Sequence, residues 1–173
     1  GEVPLEEERA RMLNEVGTEL ARSFGGQAAA LIARAEGSAA RLVELVAMHF
    51  PAFRDHCVYK GRQVFLYKRA QIFAGDVWGA YKGEGIGAFH DIHRLTMFAD
   101  YRVPVVLREM GVLKYSDALA AKVDGRVELP PGGEEEVEIR AATVQAVERL
   151  GAAVRAAGPA GGRRGPHSIE LDW

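Results

Sequence analysis

The spacing of apolar residues along the chain reads as a succession of helices joined by short connections. Leu5, Met12, Leu13, Val16 and Leu20 recur at helical intervals over residues 5–22. Glu6, Glu7 and Glu8 stand in the first turn, where the helix dipole favours carboxylates. Gly25-Gly26 ends the pattern. Ala28, Leu31, Ile32 and Ala35 mark a second helix, and Ser38 is placed to cap a third that turns Leu42, Val43 and Val46 inward. Phe50-Pro51 closes it, and residues 53–61 read as a loop with a turn at Lys60-Gly61. From Val64 to Tyr81 nearly every face is apolar, which predicts a buried helix over residues 64–81.

Further along, Val105, Val106, Leu107 and Met110 run helically to Gly111. Pro104 fits only in the first turn of such a helix, and Gly111 is a natural stop. Asp100 therefore lies at or just before a helix N-terminus. That is the usual place for a capping aspartate, and the dipole there favours its ionised form. Lys114-Tyr115-Ser116-Asp117 leads into a short helix capped by Ser116 or Asp117, and Pro130-Pro131-Gly132-Gly133 forms a linker. Glu134 to Leu150 is helical again, with Val137, Ala141, Val144, Val147 and Leu150 inward and Glu136/Arg140 spaced as an exposed pair. Gly158 to Pro166 reads as a surface loop, and Ser168 to Trp173 opens a further element. No run alternates convincingly as a strand, so the expected class is all-α.

Composition narrows the function classes. The chain has 173 residues, 48% hydrophobic and 27% charged, as expected for one domain or a large part of one. A formal net charge of −2 and no basic stripe argue against a duplex-binding or membrane surface, so no direct DNA or tRNA binding is expected. One cysteine, Cys57, excludes an internal disulfide framework and suits a cytoplasmic setting.

Several residues carry candidate chemistry. Lys68, Ile72 and Asp76 share a helix face, with Gln71 beside them. A charge in a buried helix must be paired or used, so Lys68 is either tethered to Asp76 or functional. His56 next to Cys57 suggests a nucleophile pair, but adjacent side chains seldom face each other and nothing nearby activates the thiol. The glycines of Lys82-Gly83-Glu84-Gly85-Ile86-Gly87 could bring amides to a phosphate, though no Gly-Lys-Ser/Thr follows to make a P-loop. His90, Asp91 and His93 could ligate a divalent ion, with His49, His56 and His167 as the remaining histidines. The plainer reading makes them polar loop residues, and neither metal nor cofactor is expected.

The runs EERARMLNEVG, YKRAQIFAGDVW, FHDIHRLTMFADYRVPVVLREMGVLKYSD and EVEIRAATVQAVE resemble the queuosine salvage family over nearly the whole chain. The resemblance implies an all-helical fold related to the helix-hairpin-helix DNA glycosylases. It also implies hydrolysis of queuosine 5′-monophosphate to release the base queuine. Family members are longer, so residues 1–173 are expected to be one all-α domain corresponding to the C-terminal half, cut short at both ends. Those glycosylases carry a catalytic aspartate at a helix start, and Phe98-Ala99-Asp100-Tyr101-Arg102-Val103 is the corresponding word here. On that reading Asp100 is catalytic, Lys68 holds the 5′-phosphate, Phe98 stacks on the base and Asp172 accepts from its polar groups. Two rival readings are a helical nucleic-acid-binding module without hydrolase activity and a metal-dependent phosphohydrolase using His90, Asp91 and His93.

Overall fold

The computed structural model describes residues 3–158 and 165–171. Among them are seven α-helices: α1 (Glu6–Phe24), α2 (Ala28–Ala33), α3 (Ala39–His49), α4 (Lys68–Ala80), α5 (Val103–Glu109), α6 (Asp117–Asp124) and α7 (Glu134–Ala157). The expected helical class holds, with one addition. Strands β1 (His56–Tyr59) and β2 (Arg62–Phe65) pair antiparallel as a hairpin, with His56 opposite Phe65 and Tyr59 opposite Arg62.

That hairpin corrects two expectations, the loop over residues 53–61 and the helix beginning at Val64. Lys60 and Gly61 both adopt positive φ, 47° and 76°, the backbone that a two-residue hairpin turn requires. The apolar run from Val64 is divided between β2 and α4, and Tyr67 sits at the break with a φ of 49°. α4 is also one-sided rather than apolar all round: Ala70, Ala74, Gly75 and Val77 are buried, whereas Arg69, Asp76 and Ala80 are exposed.

The chain divides into two compact units, residues 1–55 with 69–94, and residues 56–68 with 95–173. In the first, Leu42, Val46, Leu31, Phe24 and Phe50 are buried core. α1 stops at Gly25 (φ 60°), whose amide donates to the Leu20 carbonyl. Leu5 and Leu13, expected inward, face solvent, and the buried residues of α1 are Glu19 and Phe24. Ser38 caps α3 as expected, its Oγ accepting from the Arg41 amide at 3.0 Å. Gly87 needs its missing side chain: a Cβ there would stand 2.8 Å from the Val77 carbonyl oxygen and from Tyr81 Cβ.

In the second unit the core is Met97, Ala99, Leu107, Ala146 and Val147, with Leu66, Val103, Leu113 and Val144 packed against it. The hairpin is joined to α7 through Glu138, which accepts from Tyr59 Oη and from Lys60 Nζ, the latter at 3.2 Å. Ser116 caps α6 by accepting from the Leu119 amide. α7 runs seven residues beyond the predicted Leu150 end, to Ala157. Ala141 and Leu150, expected inward, are exposed, while Val137 and Val147 are buried. Ser168–Leu171 forms a 3-10 turn that packs on α7, and Ile169 within it is fully buried. No helix among the described residues is long and apolar enough to cross a membrane.

Candidate active site

Asp100 stands on the irregular segment that runs from Leu95 to the start of α5. The segment is anchored from below, since Leu95, Met97, Phe98 and Ala99 are all buried. Asp100 itself is half-buried. Its Oδ1 accepts from the Arg102 amide at 2.8 Å and the Val103 amide at 3.2 Å, so it caps α5 from three residues before the first helical position. No hydrogen bond from a described residue engages Oδ2. One carboxylate oxygen thus holds the local fold, and the other remains available for chemistry.

The residues around Asp100 differ sharply in exposure. Tyr101 is 76% exposed and Arg102 is exposed beside it, with the guanidinium carbon 5.9 Å from the ring centroid. The bond to Tyr101 and the nearby Asp100 charge hold the Arg102 guanidinium above its ordinary range. Phe98 is buried, two residues before Asp100.

Lys68 opens α4 and is half-buried. Tyr67 before it turns the chain from β2 into the helix with left-handed backbone, and its ring lies 5.5 Å from that of Phe65. A bulky residue in that region is strained, an arrangement that clusters at functional sites. Leu66, one residue earlier, packs on the core that contains Met97 and Ala99. The segments ending at Lys68 and Asp100 therefore rest on one packed body. Asp76 is exposed and has no burial penalty for a tether to relieve.

The other cations have other positions. Arg69 Nη1 lies 3.6 Å from Met12 Sδ. Arg108 makes a two-pronged pair with Asp124, at 2.7 and 2.9 Å, and lies over the Tyr115 ring at 4.9 Å. Within Lys114-Tyr115-Ser116-Asp117, Ser116 is a helix cap and Asp117 begins α6.

The metal reading loses its carboxylate. Asp91 is buried, and its oxygens accept from Ser38 Oγ at 2.7 Å and from the Ala39 and Ala40 amides at 2.6 and 3.4 Å. Burial alone would raise its pKa, but these donors prevail and hold the carboxyl below its usual range. Asp91 thus caps α3, while His90 and His93 are exposed. No group of three or more His, Cys, Asp or Glu side chains among the described residues could hold a metal ion. In the glycine loop, the amides of Gly83, Gly87 and Ala88 donate to Trp78, Glu84 and Gly85 carbonyls, which removes them from phosphate binding. Asp172 lies outside the described residues.

Two participants escape a reading by residue type. Tyr67 is one, because nothing in its identity announces a positive φ. Arg140 is the other: the Glu136/Arg140 spacing predicts an exposed pair, but the Arg140 side chain is 15% exposed and its Nε donates to the Ala99 carbonyl at 3.0 Å. A signal did exist. Val137, Arg140, Val144 and Val147 fall on one helical stripe, so Arg140 shares the buried face.

Comparison with known proteins adds a family. The family described as "Queuosine salvage protein" matches residues 1–173. A Sphaerobacter thermophilus protein named queuosine 5′-phosphate N-glycosylase/hydrolase is 50% identical over all 173 residues, which cover 52% of its own length. Proteins of the same name from Dictyostelium discoideum and Mus musculus are 52% and 43% identical over 86% of this chain, covering 46% and 44% of theirs. The chain spans about half the length of the curated relatives it matches.

Proposed function

Since this chain belongs to the queuosine salvage protein family, we propose that its full-length protein hydrolyses the N-glycosidic bond of queuosine 5′-monophosphate. The products are queuine and ribose 5-phosphate. The observation that carries this reading is the shared core under Leu66 and Ala99, which anchors the segments bearing Lys68 and Asp100 within one unit.

Breaking the bond sends its electron pair to the base and leaves positive charge at C1′. A carboxylate fixed beside C1′ stabilises that oxocarbenium-like state. It also takes a proton from the water whose oxygen bonds to C1′, and that proton passes on to the ring nitrogen of the departing base, so that neutral queuine and the 1′-hydroxyl of ribose 5-phosphate result. Queuine is a 7-deazaguanine and has no ring N7 to accept a proton, so it leaves less readily and more depends on the carboxylate. Asp100 has the form this asks for, with Oδ1 bound to backbone and Oδ2 without a described hydrogen-bond donor.

Lys68 grips the 5′-phosphate as a point charge at the start of α4. Phe98 supplies an apolar wall for the deazapurine, a contact worth about 1–3 kcal/mol where a ring stacks on a base. Asp172 accepts from the base's polar groups. The fold belongs with the helix-hairpin-helix glycosylases, the substrate is the free nucleotide rather than tRNA or DNA, and the setting is cytoplasmic.

The test is incubation of the full-length protein with queuosine 5′-monophosphate, with the products separated by chromatography. Free queuine is expected to appear in step with ribose 5-phosphate. Release of the nucleoside and inorganic phosphate instead would replace this reading with a phosphohydrolase.

A further inference from the structure

We propose that Arg140 is a positioning residue for the reaction, holding the main chain that carries Asp100 through its bond to the Ala99 carbonyl. The proposal rests on the reading of Asp100 given above.

The geometry runs through one unit without a break. Gly132 N donates to Glu136 Oε2 at 3.2 Å, Glu136 Oε1 pairs with Arg140 Nη1 at 3.2 Å, and Arg140 Nε donates to Ala99 O at 3.0 Å. The peptide receiving that last bond is the one whose nitrogen belongs to Asp100. Any rotation of it swings the Asp100 carboxylate. The Leu95–Arg102 segment has neither helix nor strand ladder to hold it over most of its length, so side-chain anchors must define its path. Met97 and Ala99 supply apolar anchors from below, and Arg140 supplies the directional one.

A guanidinium at 15% exposure is an expensive way to fill a helix face. An apolar residue of similar volume there is often neutral or stabilising. The planar fork of arginine does what lysine cannot, because Nε serves Ala99 while Nη1 serves Glu136 in fixed relative directions. A purely structural pair would need only the Glu136 contact.

The experiment compares Arg140→Lys and Glu136→Gln in the full-length protein, with queuosine 5′-monophosphate as substrate. Arg140→Lys keeps a cation for Glu136 but loses the fork to Ala99. Its kcat is expected to fall about 10- to 100-fold, the scale of a small misplacement of a reacting group. KM should change by less than about threefold, since substrate contacts lie elsewhere. Glu136→Gln weakens the ion pair and leaves the Ala99 bond, so its kcat should stay near that of the parent. Normal kcat in Arg140→Lys, or equal losses in the two variants, overturns the proposal.

If Arg140→Lys melts below the assay temperature, Arg140→Gln and Arg140→Met provide the readout. Glutamine can still donate to Ala99 and should retain more kcat than methionine at matched stability; equal losses again overturn the proposal. Asp100→Asn, measured alongside, separates the two ideas. If it leaves turnover intact, the mechanism itself fails. If it abolishes turnover while Arg140→Lys is normal, only the positioning role fails.

Discussion

His49 Nδ1 lies 2.7 Å from Glu19 Oε1, which ties the last residue of α3 to the C-terminal half of α1. Glu19 also accepts from Ser23 Oγ at 2.7 Å and pairs with Arg22 at 2.5 Å, although its side chain is only 9% exposed. The bonds from Ser23 and His49 hold its pKa down, from an ordinary 4.5 to about 2. As pH falls the unfolded chain takes up the proton first, so this contribution is complete above pH 4.5 and disappears as pH drops toward 2. Melting temperature should therefore fall more steeply between pH 5 and pH 3 in the parent than in Glu19→Gln. Parallel curves for the two proteins would refute the assignment.

Asp91 makes a second prediction, on stability rather than catalysis. Asp91→Ala removes the acceptor for the Ala39 amide and Ser38 Oγ at the start of α3, and should cost about 1–2 kcal/mol. Asp91→Asn keeps a capping oxygen and should lose less. A chelator should leave turnover unchanged. Loss of activity on chelation with recovery on adding a divalent ion would restore the metal reading.

Helix ends were legible because capping is local chemistry. Ser38, Ser116, Gly25 and Gly111 each act within a few residues of their own position. The hairpin was not legible, since each strand has four residues and its burial alternates only between exposed and half-buried. Periodicity over so short a span cannot separate strand from loop. Val64 and Phe65 then merged with the apolar run behind them, because the break is the backbone of Tyr67 rather than its identity. The position of Asp100 before a helix is legible, for Pro104 and Gly111 bound α5 on both sides. The burial of Arg140 is hidden for the opposite reason. One of its partners is a carbonyl 41 residues away, and an i,i+4 charge pair looks the same whether it is exposed or buried.

Lys68 offers a test that uses two substrates. If it grips the 5′-phosphate, Lys68→Met in the full-length protein should depress turnover of queuosine 5′-monophosphate far more than that of queuosine. The ratio should move by about tenfold or more, since charge-assisted contacts to phosphate are worth about 1.5–3 kcal/mol. If Lys68 served α4 only, both substrates would suffer alike and the melting temperature would fall with them. Asp76 is exposed, so Asp76→Asn should leave both activities and stability unchanged. A shared defect in Lys68→Met and Asp76→Asn would revive the tether.

Asp100 allows the sharpest separation of structural and chemical roles. As a cap, its contribution lies in Oδ1, which accepts from the Arg102 and Val103 amides. Asparagine presents a carbonyl oxygen at the same place and is as good a cap as aspartate. Asp100→Asn should therefore keep the start of α5, with a melting temperature close to that of the parent. The substitution nonetheless deletes the negative charge that meets the developing oxocarbenium ion, and it replaces the second oxygen with an amide that cannot take a proton from water. Turnover should fall by about 100-fold or more, the scale seen when one preorganised electrostatic group is removed. Binding of the nucleotide should survive, because the phosphate and base contacts are assigned to Lys68, Phe98 and Asp172. The variant should then hold intact queuosine 5′-monophosphate long enough for the complex to be observed directly. Asp100→Ala is the companion measurement: it loses the cap as well as the charge, so it should be less stable by about 1 kcal/mol and no more active than Asp100→Asn. An Asp100→Asn protein that turns over substrate at nearly the parent rate would leave Asp100 as a cap alone, and the hydrolytic charge would have to come from another residue.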